Sequence, residues 1–398
     1  MLGVERASGA LSARRLDDAG VDRLERTAPL RTVVGLDIGG SGVRAAEIVV
    51  GRSLTLRRFA SVPLPDGVVT DGLVTDGDAL ADALRDLWAL GKFSTRDVAF
   101  AIANNGVLVR QMDLLWMPPA DFRKALRYQV ADALPVPVDE ANLDYYLLDE
   151  IESQPENPDA QSKVARVMLV AAGREMVDGF VNAIEKAGLR AIRVDLLPFA
   201  LVRAISDVGE PDAALEAIVD IGADKVVVVV HQAGRPRFVR TLDGRGGKTI
   251  TRALMERYDW TWDEAERSKV VLGLVGSAPP VSHVDGESPS VTGAPDAAPH
   301  PAHRVMAEHV DALVTDLNDT LDYFRSSAGD QEALARLVLT GGAAGLGGLA
   351  EALEGQLEIP VVRFSAFERL ARPRRAVVLE DEEASLTVPT GLCLGSAS

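Results

Sequence analysis

Two stretches of this chain lie over one another on a single triplet. Val33-Val34-Gly35-Leu36-Asp37-Ile38-Gly39 and Glu216-Ala217-Ile218-Val219-Asp220-Ile221-Gly222 share Asp-Ile-Gly, and in both an apolar run of strand character leads in and β-rich sequence follows. One unit used twice restricts the chain to two related halves, each ending its leading strand in a glycine turn. The 398 residues give each half the length of an ordinary domain, about 100–200 residues.

What such a turn does follows from its chemistry. Glycines let backbone N–H groups approach an anion with no Cβ in the way, and successive amides form a concavity for phosphate. An Asp at the strand end suits magnesium, which keeps most of its water and takes one or two carboxylates. Two such hairpins facing each other would clamp a nucleoside triphosphate from both sides. A Rossmann or Walker loop requires a helix directly after the turn, whereas residues 43–49 read as strand. Gly246-Gly247-Lys248-Thr249 has the ending of a P-loop, but Leu242 and Asp243 stand where its first glycine belongs. A third Gly-Gly turn, Gly341-Gly342, lies between an expected strand and helix.

Around these anchors the pattern alternates. Residues 33–38, 43–49 and 54–60 read as a strand meander, followed by a helix at 78–90 with Leu80, Leu84, Leu87 and Trp88 on one face. A strand is expected at 98–103, and a helix between Pro118-Pro119 and Pro135 with Asp121 as its cap. A strand at 164–170, a helix at 175–187 closing on Gly188 and a strand at 191–194 come next. The second half opens at residue 217, with strands at 225–231 and 237–242 and a capping box in Thr261-Trp262-Asp263-Glu264. Met306, Val310, Leu313, Leu317, Leu321 and Phe324 place a core helix over 304–325. A strand at 337–340, a helix over 346–354 and a strand at Val361-Val362 end the pattern. Residues 1–30 read as a tail. Residues 277–303, with six of the 21 prolines and almost no large apolar side chain, read as a disordered surface insertion. His300 and His303 fall within it without a third ligand in register, so they read as solvated loop.

Charge and cysteine content narrow the partners. The net charge of −17 repels a phosphate backbone and anionic headgroups, which argues against nucleic acid. Cys393, alone, makes neither an internal disulfide nor a Cys-rich zinc site. The longest aliphatic run, 226–230, is far short of the roughly 20 residues of a membrane helix, and no secretory signal is visible. A cytoplasmic protein is expected.

The two Asp-Ile-Gly hairpins plus the third glycine turn resemble the phosphate 1, phosphate 2 and adenosine pattern of the actin, Hsp70 and sugar-kinase superfamily, from about Arg31 onward. More specifically, four segments resemble the PilM-type proteins of type IV pilus assembly, relatives of the cell-division protein FtsA. They are Val34-Gly35-Leu36-Asp37-Ile38-Gly39-Gly40-Ser41-Gly42-Val43-Arg44, Phe122-Arg123-Lys124-Ala125-Leu126 with Leu134-Pro135-Val136-Pro137-Val138-Asp139-Glu140, Leu143-Asp144-Tyr145, and Leu321-Asp322-Tyr323-Phe324. The resemblance implies an α/β, actin/Hsp70-like ATPase fold of duplicated ribonuclease H-like halves with an FtsA-like inserted small domain. The first half would comprise 31–105 and 161–210, the inserted domain 106–160 and the second half 211–398.

The resemblance also implies ATP and Mg2+ as cofactors. Asp37, Gly39, Gly40, Ser41, Gly42 and Arg44 match the first phosphate loop, Asp220, Gly222 and Ala223 the second, and Gly341 and Gly342 the adenosine turn; Asp37 and Asp220 would hold the metal. Glu266 and Lys269 match the helix flanking base and ribose, and equally fit an exposed i, i+3 ion pair. The second loop, Gly222-Ala223-Asp224, departs from the Gly-Gly-Gly-Thr of FtsA and Hsp70, which implies weak hydrolysis. An acidic residue usual near Gln129 is absent, which leaves the surface of the small domain open. That domain is implied to receive the N-terminal cytoplasmic segment of a PilN-type membrane protein, with Trp116 and Met117 equally fitting its groove or its core.

Three functions compete on these residues. A nucleotide-dependent pilus assembly scaffold needs nothing beyond the clamp and a partner surface. A sugar or carboxylate kinase also needs an acceptor pocket with a general base, for which no signature is present. An FtsA-like membrane tether predicts a basic amphipathic C-terminal helix, which the sequence from Val388 onward does not provide. Arg372, Arg374 and Arg375, followed at once by Glu380-Asp381-Glu382-Glu383, read as a charge-balanced surface loop.

Overall fold

The apolar run of the first repeat becomes β1 (Arg31–Gly39), antiparallel to β2 (Gly42–Val50), which in turn pairs antiparallel with β3 (Leu54–Pro63). The computed structural model describes residues 31–51, 53–104, 106–134, 136–152, 163–206, 214–274, 300–328, 333–371 and 380–395. The expected tail, most of the expected insertion and the arginines at 372–375 lie outside them.

A small hairpin, β4 (Val69–Thr70) with β5 (Leu73–Val74), precedes α1 (Gly77–Gly91). Asp76 caps that helix, its side chain accepting from the amides of Asp78 and Ala79 at 3.0 Å, and Leu80, Leu84 and Leu87 point into the core. β6 (Asp97–Ile102) then returns parallel to β1.

The chain next leaves the sheet. β7 (Leu108–Leu115), α2 (Pro119–Gln129), β8 (Ala141–Glu152) and β9 (Lys163–Gly173) build a three-stranded sheet of order β7-β9-β8 with α2 packed on it through Phe122 and Leu126. Two expectations change here. Asp121 lies inside the first turn of α2 and does not cap it; Pro118 precedes the helix, because a proline in the first turn fixes the entry with no side-chain bond. Residues 163–173 form the central strand of this small sheet, whereas the sequence placed residues from 161 onward with the first half.

α3 (Arg174–Lys186) and β10 (Arg190–Leu196), parallel to β6, complete the first half, and α4 (Leu197–Ile205) leads away from it. The second half repeats the plan. β11 (Leu215–Ile221), β12 (Lys225–Gln232) and β13 (Arg235–Asp243) form an antiparallel meander, followed by α5 (Gly247–Tyr258), α6 (Trp262–Leu272) and α7 (Pro301–Ala328). β14 (Arg336–Thr340) runs parallel to β11, and after α8 (Leu349–Leu357), β15 (Val361–Arg363) runs parallel to β14. The strand orders β3-β2-β1-β6-β10 and β13-β12-β11-β14-β15 coincide, so the repeat seen in one triplet extends over five strands of each sheet.

α7 begins at Pro301, inside the segment expected as insertion. His303 is a helical residue whose Nδ1 lies 3.0 Å from the Gly273 carbonyl, not a solvated loop histidine. The end of the chain also returns to the first half: β16 (Leu370–Ala371) pairs with β3, and α9 (Thr387–Leu394) packs on α4 and β1. Val388 and Leu392 of α9 join Ala99 and Ala101 of one sheet to Ile218 and Val227 of the other. No helix among the described residues is long and apolar enough to cross a membrane.

Candidate functional site

Because β1 and β11 occupy equivalent places in two facing sheets, their C-terminal ends arrive at one cleft, a cavity of about 640 Å³. Asp37, Gly39, Gly40, Ser41 and Arg44 line it from the first turn, and Asp220, Gly222 and Ala223 from the second. Glu266, Lys269, Gly341 and Gly342 line it as well. Gly42 does not; it starts β2 opposite Pro63 of β3.

The turns are glycine-rich because they touch. A Cβ on Gly40 would stand 1.7 Å from Oδ2 of Asp224, so a side chain there would have to displace the Asp224 carboxylate of the second turn. Gly341 adopts φ 94°, and a Cβ there would lie 2.5 Å from the carbonyl of Ile221 and 2.8 Å from Oδ1 of Asp220. The third turn is thereby pressed onto the end of β11.

The floor of the cleft carries an unresolved charge problem. Burial pushes the Asp220 carboxyl up to about 7, the negative charge of Asp37 adds to the rise, and Arg44 opposes it. Burial also raises Asp37, against the pull of Arg44, whose Nη1 is 3.7 Å from Oδ2 of Asp37. Two acids whose ionised forms are disfavoured by burial, in a cavity lined by glycine turns, favour a cation accompanied by an anion. Among the described residues no group of three or more His, Cys, Asp and Glu could hold a metal by itself.

On the far wall, Lys269 Nζ donates to Glu266 Oε1 at 2.7 Å, to Thr251 Oγ1 at 2.8 Å and to the Gly247 carbonyl at 3.2 Å. Thr251 in turn donates to Glu266. With the Lys269 side chain 12% exposed and the Glu266 side chain 33%, this is a fixed cleft network and not the open surface pair that spacing alone also allowed.

Sequence reasoning missed part of the site. Gly246, Gly247 and Lys248, at the start of α5, line the cavity, as do Arg363 and Glu383. The signal was present: a double glycine followed by Ile250 and Leu254 at helical spacing. The double glycine lacks the P-loop frame, so the motif by itself does not mark a phosphate site. Glu383 accepts from Ser365 Oγ at 2.7 Å, so one acid of the expected surface loop belongs to the cleft. Trp116 and Met117 are half-buried against the α2 cluster of the small sheet.

A family model described as type IV pilus assembly protein PilM matches residues 35–277, and one described as cell division protein FtsA matches residues 217–380. The solved structure described as the PilM-PilN type IV pilus biogenesis complex is 25% identical, covers 92% of this chain and 98% of its own, and superposes with a TM-score of 0.73. More distant are ethanolamine utilization protein EutJ from Carboxydothermus hydrogenoformans (17% identity, 94% of each chain, TM-score 0.49) and MreB5 of Spiroplasma citri bound to ADP (13%, 84% and 92%, 0.45). No curated protein matches the sequence.

Proposed function

The chain belongs to the type IV pilus assembly protein PilM family, and on that premise we propose that it is an actin-like scaffold that binds ATP with Mg2+ and a PilN-type membrane partner. The observation that carries the nucleotide part is the convergence of both Asp-Ile-Gly turns on one cavity. Its volume of about 640 Å³ suits a ligand of nucleotide size.

The residues fit the metal. Asp37 and Asp220 are acids whose ionised forms burial disfavours, and magnesium would take one or two carboxylates and complete its shell with water and phosphate. Bound there, the ion would neutralise the phosphate chain. The protein's own groups would do the rest: the glycine turn Gly39-Gly40-Ser41 lines the cavity where the anion would lie, Gly341 packs the third turn against β11, and the Glu266–Lys269–Thr251 network holds the wall for base and ribose. The second turn, with Ala223 and Asp224, supports slow hydrolysis at most.

The small sheet of β7, β9 and β8 with α2 is the unit we assign to the partner. Its outer strands leave edges on which an extended peptide can pair, and Trp116 and Met117 border the apolar cluster. Binding there would hold the protein at the cytoplasmic face of the membrane. A kinase has less behind it, since the structure similar over 92% of this chain is a pilus biogenesis complex. α9 is not the exposed amphipathic helix of an FtsA-like tether, since its residues 387–393 are buried in the core.

The test is calorimetric titration of the N-terminal segment of a PilN-type protein into this chain, with and without MgATP. Peptide binding whose affinity changes with nucleotide supports the scaffold. Phosphate transfer to a small metabolite would replace it with a kinase.

A further inference from the structure

Lys248 occupies the point where the two halves meet. It lies in the first turn of α5, in the second half, with its side chain 6% exposed. Its ammonium donates to the carbonyl of Gly40 at 3.0 Å and to Oδ1 of Asp66 at 2.7 Å, both in the first half. Arg252, one helical turn further on, reaches Oδ2 of the same carboxylate at 3.2 Å. The Lys248 bond is the main reason the Asp66 carboxyl is held below its ordinary range.

An ammonium has three N–H groups. Two are taken across the cleft, and Asp224 Oδ1 stands 3.7 Å away as an ion-pair partner too far for a hydrogen bond, so the third N–H makes no hydrogen bond to a described residue. The other cations of the cavity wall each have protein partners: Arg44 has Asp37 and Ser41, Lys225 the Ala103 carbonyl at 2.6 Å, Arg245 Asp316, Arg363 the Leu346 carbonyl at 3.2 Å, and Lys269 its three acceptors.

We propose that Lys248 binds the phosphate chain of a nucleotide held in this cavity, and that its bonds to Asp66 and Gly40 make the same side chain tie one half to the other. This rests on the nucleotide reading above. Phosphate binding and cleft closure then share one residue, and a ligand without phosphates does not engage it. A lysine suits the task as a compact point charge.

The test uses the full chain with Lys248→Gln and Asp66→Asn, titrated with adenosine, ADP and ATP in magnesium, alongside small-angle scattering without ligand. Lys248→Gln is expected to weaken ATP and ADP about 10–100-fold and to leave adenosine within about twofold. Asp66→Asn, on an exposed residue whose loss threatens the fold less, is expected to weaken ATP about threefold. Both variants should show a larger radius of gyration than wild type when empty, and wild type should expand at high salt. ATP affinity unchanged in Lys248→Gln, or equal losses for ATP and adenosine, would overturn the Lys248 role alone. A wild-type protein that binds none of the three ligands would overturn the nucleotide reading and this role with it.

Discussion

At the scale of single residues, the account turns on Asp220. Its folded carboxyl titrates near 7 and an unfolded one near 3.8, so between those values the native state holds the extra proton. Stability of the ligand-free protein therefore falls as pH rises through that window. Asp220→Asn removes the penalty: it should stabilise the empty protein by about 1–3 kcal/mol at pH 8, with the gain shrinking towards pH 4. Thermal unfolding across pH measures this, and a pH-independent effect would contradict it. Asp37 and Asp220 were legible in the sequence because a repeated triplet marks equivalent positions. Lys248 was not, because its partners, Gly40 and Asp66, stand some two hundred residues away and only the packing of two halves brings them together.

Among elements, legibility followed locality. α1 matches its expected span to within a residue at each end because the Leu80–Leu84–Leu87 stripe and Gly91 are local signals, whereas its cap, Asp76, was not read from the sequence. Asp76→Ala should cost about 1 kcal/mol, read by denaturant titration. α9 was invisible: Thr387-Val388-Pro389-Thr390-Gly391-Leu392-Cys393-Leu394 contains proline and glycine and has no polar face. Tertiary contacts make it a helix, among them Arg203 Nε donating to the Gly391 carbonyl at 3.1 Å and Leu392 buried between the two sheets. Leu392→Ala should therefore destabilise the protein by about 2–5 kcal/mol although the segment lacks helical character of its own. A loss below 0.5 kcal/mol, on the order of an exposed substitution, would show that α9 does not join the halves. The small sheet was half legible. Its helix and strands were marked by prolines and apolar runs, but β-pairing is non-local, and the placement of Lys163–Gly173 between β7 and β8 carries no sequence signature.

For the whole molecule, duplication is the organising fact. Two sheets sharing a five-strand order put the ends of β1 and β11 at one cleft, which takes an acid and a glycine turn from each copy. Two elements break the symmetry: the small sheet enters the first half after β6, and α9 packs between the two sheets. The central claim is that both turns serve one magnesium-bound nucleotide. Calorimetry of MgATP with wild type, Asp37→Ala and Asp220→Ala tests it most directly. The account predicts binding by wild type and a loss of about tenfold or more in each variant, with both still folded; wild-type affinity in either variant would contradict it.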